Sequence, residues 1–254
     1  MTLPTAILIT GASSGIGEAL ARAYARPGAT LFLSGRDTAR LETVAKSCRA
    51  RGARAEAQVV DVADRAAMAA WVAAADAMAP LDLVVANAGI SAGTGLLGES
   101  ADQARRIFAV NLDGVLNTVL PALPALRARR RGQVAIVSSL ASFRGLAGAP
   151  AYAASKGAVR LWGEGLRGAV AADGVGVSVI CPGFVTTRMT AENRFPMPML
   201  MDSDRAAAVI VAGLARNRGR IAFPLPMRAL TWLFAALPDG LADALARRLP
   251  KKER

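Results

Sequence analysis

Tyr152 and Lys156 stand four residues apart in a segment whose apolar spacing predicts a helix, so both side chains project from one face. A phenol beside an ammonium is a proton-transfer pair. Tyrosine ionises near pH ~10, and a neighbouring cation favours the phenolate that general acid–base chemistry near neutrality requires. The chain holds two tyrosines, and only four of its 31 basic residues are lysine, so a lysine at this place is a choice against its usual arginine. An ammonium approaches a phenol as a compact point charge, and a guanidinium replaces it poorly. Ser139 closes a predicted strand at 133–138. A hydroxyl at the carboxyl end of such a strand sits where parallel sheets bind ligands, and it can bond a substrate oxygen. Ser138 and Ser142 compete for that role, with helix capping as the plainer use of either.

A second constellation lies near the N-terminus. Thr10-Gly11-Ala12-Ser13-Ser14-Gly15-Ile16-Gly17 falls between a predicted strand and a predicted helix. Glycines there let the backbone turn sharply and approach a pyrophosphate, while the helix start offers free N–H groups and a positive dipole end. The spacing is Gly-x3-Gly-x-Gly, and no Lys-Ser/Thr follows, which excludes a Walker loop. The next predicted strand ends in Gly35-Arg36-Asp37. An acid in the place of Gly35 would hold the ribose 2′-hydroxyl of NAD. Arg36 instead offers a planar fork suited to a 2′-phosphate, which favours NADP(H). Asp37 opposes that charge and also suits the N-cap of the following helix.

Positioning these groups requires an alternation of strands and helices. Apolar, β-branched runs near 5–10, 29–34, 56–60, 81–86, 133–138, 175–181 and 220–223 predict seven strands. Helices are predicted at 15–26, 38–51, 64–78, 101–130, 150–172 and 203–216. Strands without polar alternation, separated by helices, imply an α/β fold: a doubly wound parallel sheet covered on both faces. No Pro, Gly or Ser-rich linker divides the chain, so 1–254 reads as one domain.

Composition removes other chemistries. There is no histidine, and Cys48 and Cys181 follow no metal-ligand spacing, so no metal site, histidine triad or disulfide framework is expected. The N-terminus runs straight into the first strand, without a basic flank and cleavable apolar stretch, and 225–237 is too short to span a bilayer. A cytoplasmic location follows as the expectation. The net charge of +12 comes from scattered arginines, which argues for solubilising and helix-end roles and against nucleic acid. Residues 188–202 carry four methionines and two prolines without periodicity; they read as an adaptable flap over the substrate or as a packed loop. Residues 226–254 combine Trp232, Leu233, Phe234 and Leu237 with Arg247, Arg248, Lys251 and Lys252. That pattern fits packing against a partner subunit or weak peripheral contact with a membrane.

Together these residues resemble the short-chain dehydrogenase/reductase family. The resemblance runs from Thr10 to Thr187 through Gly11, Gly15, Gly17, Asp61-Val62, Asn87-Ala88-Gly89, Asn111, Ser139, Tyr152, Lys156 and Pro182-Gly183, in family order. It implies a Rossmann-like fold of about seven strands, with Gly11, Ser13, Ser14, Gly15, Ile16 and Gly17 at the diphosphate and Arg36 at the 2′-phosphate. Asp61 and Val62 would lie beside the adenine, Asn87, Ala88 and Gly89 would support the pocket, and Pro182, Gly183, Val185 and Thr187 would position the nicotinamide carboxamide. Asn111 would hold a water in the relay to Lys156, which would itself bond the nicotinamide ribose. Ser139 and Tyr152 would bind a carbonyl oxygen, with hydride arriving from the nicotinamide and a proton from Tyr152. Where the family usually has Asn-Asn-Ala-Gly, this chain reads Ala86-Asn87-Ala88-Gly89, which puts the bonding of that turn in question.

The expected activity is NADP(H)-dependent interconversion of a carbonyl and a secondary alcohol on an apolar small molecule. Phe143, Leu146, Arg144, Arg188, Glu192 and Arg194 are expected near the pocket. The alternatives are a dehydratase or epimerase on the same scaffold, or an NADP(H)-binding sensor or membrane-peripheral protein without turnover. Helices 101–130 and 150–172 are long enough to pair with copies of themselves, and the resemblance implies a homodimer or homotetramer.

Overall fold

In the computed structural model, residues 3–91, 99–191 and 196–246 are described. Seven parallel strands form one sheet: β1 (Ala6–Thr10), β2 (Thr30–Gly35), β3 (Arg54–Val59), β4 (Leu83–Ala86), β5 (Gln133–Val137), β6 (Gly176–Pro182) and β7 (Arg220–Phe223). Their order is β3-β2-β1-β4-β5-β6-β7. The chain winds outward from β1 in one direction, then returns to start β4 on its other side. The crevice opened by that reversal, beyond the carboxyl ends of β1 and β4, is where such sheets bind ligands. β1, β4, β5 and β6 are buried at every position, which is why they read as unbroken apolar runs.

Helices cover both faces. On one, α1 (Gly15–Tyr24), α2 (Thr38–Ala50) and α9 (Ser203–Ala215) bury Leu20, Leu41 and Ile210 against Ile7, Leu31 and Ile180. On the other, α3 (Arg65–Met78) and α7 (Pro150–Ala169) bury Met68, Val72 and Val159 against Leu8, Val84 and Val134. Burial of each such aliphatic side chain contributes about 1.5–3 kcal/mol, so the two layers supply the main cohesion of the fold.

The helix expected over 101–130 is not continuous. It forms α4 (Ala101–Phe108), a π turn (Ala109–Asp113), α5 (Gly114–Val119) and α6 (Leu123–Ala128). The π turn inserts an extra residue and re-aims Asn111, a common device at functional sites. Pro124 occupies the first turn of α6, where its missing N–H is harmless. By length and composition the stretch 101–128 could cross a membrane, but half of it is buried inside the protein, as in a core helix. The expected helix at 150–172 stops at Ala169, followed by a 3-10 turn at Ala171–Asp173 and left-handed Gly174.

Beyond β6, the short α8 (Arg188–Ala191) leads into the expected flap, whose return is tied by a bridge between Val185 and Met201. Flap residues 192–195, including Glu192 and Arg194, lie outside the described residues. The chain continues as α10 (Leu225–Ala236) and α11 (Asp239–Ala246); tail residues 247–254 also lie outside them.

Candidate active site

The turn after β1 is built by side chains as well as glycines. Thr10 Oγ1 accepts bonds from the Asn87 and Ala88 N–H groups at 3.1 and 3.2 Å. Asn87 Nδ2 donates to the Thr10 and Gly11 carbonyls at 2.9 and 3.1 Å. The turn after β4 is therefore pinned to the turn after β1 without an asparagine at position 86. Gly11 and Gly15 have φ of +64° and +59°, where a side chain is strained. A Cβ on Gly15 would lie 2.8 Å from Thr187 Cγ2, so the glycine lets the segment after β6 close over the cradle. A Cβ on Gly17 would collide with the Gly11 carbonyl and the Asn87 amide, so this third glycine serves close packing behind the cradle.

The start of α1 opens on the cleft. Asp37, Asp64, Ser100 and Asp202 cap the helices that follow them through their side chains, whereas Ser14 makes no such bond. The first-turn N–H groups of α1 therefore retain their donor capacity at the cleft, beside the positive end of the dipole.

At the end of β2, Gly35 lies against Ser13, whose Oγ would be 3.1 Å from a Cβ placed there. Arg36 is exposed on the cleft wall. Asp37 is committed elsewhere: it accepts from the Arg40 N–H at 2.9 Å and pairs with the Arg40 guanidinium at 2.8 Å. Across the cleft, Asp61 accepts from the Ala63 N–H at 3.0 Å and from Arg106 at 2.6 Å. Desolvation works to raise the Asp61 pKa, but these two bonds and the charge of Arg36 together hold it below the ordinary value. Arg40, which also lines the cleft, and Arg106 were not singled out from sequence. Arg40 was discoverable, one helical turn beyond Arg36, whereas Arg106 is 45 residues from its partner.

β5 and α7 bring Ser139, Tyr152 and Lys156 together. Ser139 follows β5 and begins a 3-10 turn at Leu140–Phe143, accepting from the Ala141 N–H at 3.1 Å. Its hydroxyl stands near enough to Tyr152 to favour the phenolate. Lys156 is 3% exposed, and its Nζ donates to the Val137 carbonyl at 2.9 Å. An ammonium has three donors, so two remain for a polar ligand. Burial pushes the Lys156 pKa down to about 8, with the Cys181 thiol acting weakly the other way. Burial also raises the Tyr152 pKa, opposed by the Ser139 hydroxyl. Of these two influences on the phenol, desolvation is the larger.

The remaining serines and Asn111 have supporting places. Ser138 Oγ donates to the Lys156 carbonyl at 2.8 Å, tying β5 to α7. Ser142 is buried behind the turn. Asn111 is fully buried; it exchanges two bonds with the Ile90 backbone, at 2.8 and 2.9 Å, and donates to Ser155 Oγ at 3.1 Å. Ser155 in turn donates to the Tyr152 carbonyl at 2.8 Å. The π turn thus couples Asn111 to the backbone of the tyrosine. A Cβ on Gly89 would be 3.1 Å from Lys156 Nζ and 3.3 Å from Asn111 Oδ1, so these groups meet beside that glycine. Glu99, unremarked in the sequence, accepts from the Ala151 N–H at 2.8 Å and caps the start of α7.

One cleft of about 680 Å³ joins these parts. Gly11, Ser13, Ser14, Gly15, Ile16, Arg36, Asp61, Val62, Asn87, Ala88, Gly89, Ser139, Tyr152, Lys156, Pro182, Gly183, Val185 and Thr187 all line it, as do Arg188 and Met189 of the flap. Of the residues expected at the site, Gly17 and Asn111 lie behind its wall. Phe143 and Leu146 do not line it either, contrary to expectation. Phe143 packs between the guanidiniums of Arg160 and Arg220, 4.6 and 5.4 Å from its ring centre. Arg144 turns toward α10 and accounts for its charge there. Among the described residues, no three potential metal ligands gather.

These parts make a doubly wound α/β fold whose cleft gathers Ser139, Tyr152 and Lys156, and known proteins share that fold. The profile of the short chain dehydrogenases matches residues 5–197. An uncharacterised oxidoreductase of Myxococcus xanthus is 40% identical over 243 residues, 95% of this chain and 96% of that protein. A short-chain dehydrogenase from Sphingobium yanoikuyae, solved in complex with NADPH, superposes with a TM-score of 0.80 at 25% identity, covering 98% of this chain and 97% of that one. A short-chain dehydrogenase/reductase from Burkholderia phymatum, solved in complex with NAD, gives 0.83 at 25% identity, covering 98% and 96%. The chain belongs to the short-chain dehydrogenase family of oxidoreductases.

Proposed function

We propose that this protein is an NADP(H)-dependent oxidoreductase that interconverts a carbonyl and a secondary alcohol on an apolar small molecule. The observation that carries the reading is one cleft in which Ser139, Tyr152 and Lys156 converge with the glycine cradle and Arg36. When bound, the nicotinamide supplies or accepts a hydride at the substrate carbon. Ser139 and Tyr152 donate hydrogen bonds to the carbonyl oxygen and stabilise the negative charge that develops there. The Tyr152 phenol, which lines the cleft with Ser139 and Lys156, delivers the proton to that oxygen. The free donors of Lys156 bind ribose hydroxyls, and its charge offsets the phenolate once the proton has left. Asn111 supports the relay toward Lys156 from behind the wall, through Ser155.

The uncapped start of α1 receives the diphosphate, with Ser13, Ser14, Gly15 and Ile16 around it. Gly35 removes the acid that would select NAD, and with Asp37 bound to Arg40, Arg36 is left for a 2′-phosphate. Asp61 and Val62 flank the adenine, Asn87, Ala88 and Gly89 support the pocket, and Pro182, Gly183, Val185 and Thr187 hold the carboxamide end. Met189, after β6, gives the substrate side of the cleft an adaptable apolar wall. The free, buried state of Cys48 and Cys181 suits a cytoplasmic setting.

Titration of the purified protein with NADPH and NADH, followed by nicotinamide absorbance with a panel of apolar ketones and aldehydes, tests the reading. The expected result is tighter NADPH binding, and NADPH consumption with a panel member. Tyr152→Phe is expected to lose turnover at least about 100-fold while keeping NADPH affinity. Retention of most turnover by that variant would overturn the mechanism, and NADPH binding without consumption would favour a sensor.

A further inference from the structure

The last two helices leave an apolar surface that the fold does not use. The inner side of α10 is engaged: Met227 packs with Leu140 and Cys181, and Phe234 lies 5.5 Å beneath the guanidinium of Arg144. Its outer side exposes Leu225, Leu230, Trp232 and Leu233 by 68, 61, 65 and 57%. α11 adds exposed Leu241 and Leu245. Arg144 holds this surface in place, donating to the Leu237 carbonyl at 3.0 Å and pairing with Asp239 at 3.0 Å. A guanidinium at a helix C-terminus answers both the free carbonyls and the dipole.

Charge indicates what covers the patch. Arg228 is exposed on the outer side of α10, and the sequence that follows α11 reads Arg-Arg-Leu-Pro-Lys-Lys-Glu-Arg, five basic residues against one acidic. We propose that α10 and α11 are a docking surface for an anionic lipid bilayer, with the leucines and Trp232 entering the interface and the basic tail engaging lipid phosphates. A second copy of the chain is the weaker occupant. A two-fold contact would set this patch against itself and bring two basic tails together, where like charges oppose association. An amphipathic helix with an indole and leucines on one side and a basic rim is the form that lies in a membrane interface. Attachment of this kind is reversible and weakens with salt. Because α10 packs on the 140–143 turn, docking sets the lipid surface one layer from Ser139. The inference is independent of the reaction assigned to the cleft.

Co-sedimentation of the full chain with phosphatidylcholine vesicles, with and without phosphatidylglycerol, tests it, alongside tryptophan emission. The expected result is pelleting with the anionic vesicles only, reduced by salt, with a blue shift from Trp232. The double variant Leu230→Glu, Leu233→Glu changes two exposed side chains and is expected to lower the partition coefficient about 100-fold with the fold unaltered by circular dichroism. Neutralising Arg247, Arg248, Lys251 and Lys252 to Gln is expected to abolish the preference for anionic lipid. Absence of pelleting, equal pelleting on neutral vesicles, or pelleting unchanged by the leucine variant would each overturn the proposal. So would a vesicle-free dimer that the leucine variant converts to monomer, which would assign the patch to a second copy.

Discussion

Lys156 shows how one residue can serve chemistry against stability. Its ammonium is buried with one protein acceptor, and its pKa falls to about 8 from 10.5. Below pH 8 the folded and unfolded chains both carry the proton, and the fold bears the full desolvation cost. Between pH 8 and 10.5 the folded chain has released it while the unfolded chain keeps it, so stability from this group rises with pH across that window. Lys156→Met is therefore expected to abolish turnover yet stabilise the ligand-free protein at pH 7 by up to about 3 kcal/mol, less the lost bond to Val137. Urea unfolding at pH 7 and pH 10 checks this, and the gain must shrink at the higher pH. Arg36 acts through a different term, charge complementarity at an exposed wall. Arg36→Ala is expected to weaken NADPH binding about 10- to 100-fold and leave NADH binding nearly unchanged, as read from paired titrations. Equal losses for both cofactors would place the arginine elsewhere than at the 2′-phosphate.

Among the elements, α7 carries the proposed proton-transfer pair. It holds Tyr152 and Lys156 on one side, receives Ser138 through the Lys156 carbonyl, and is capped by Glu99. Its distance from the sheet is set by Gly163, where a Cβ would lie 2.7 Å from Val179 Cγ2 and 2.9 Å from Ile136 Cδ1. Gly163→Ala is expected to lower stability by about 1–3 kcal/mol by forcing helix and sheet apart. It is also expected to lower kcat more than NADPH affinity, because the tyrosine shifts relative to Ser139 while the glycine cradle does not. Denaturant midpoints and steady-state rates with cofactor titration separate the two effects. The π turn is a comparable element: the period of 101–130 predicts a plain helix, but one extra residue rotates Asn111 onto Ile90 and Ser155.

The whole molecule exposes apolar side chains on the outer helices as well as on α10. Phe108 on α4, Leu120 after α5 and Leu161 on α7 are all open to solvent. Phe108, Leu120 and Leu161 lie on the helices that the family resemblance assigns to self-association. A symmetric homo-oligomer through these helices is the expectation, read by sedimentation velocity. Leu161→Glu is expected to shift the protein toward monomer with its thermal transition retained. An unchanged sedimentation coefficient would remove α7 from the interface.

Much of this was legible in residue order because its causes are local. Apolar runs become buried parallel strands, Gly11 and Gly15 meet a backbone need that other residues satisfy poorly, and Tyr152 and Lys156 share a face through helical period alone. Those rules gave the α/β fold and the doubly wound sheet, while the positions from Asp61 to Thr187 along the cleft came from the family resemblance. What only the tertiary structure decided depends on groups distant in sequence. Asn87 bonds the turn at Thr10, Arg106 engages Asp61, and Glu99 caps the helix of Tyr152. Phe143 and Arg144, adjacent in the chain, leave the cleft for separate partners across the fold. Burial likewise belongs to the assembled molecule, and it is what pushes the Tyr152 phenol up and the Lys156 ammonium down. Sequence period determines which way a side chain points from its own element; packing determines what it meets and how much water remains around it.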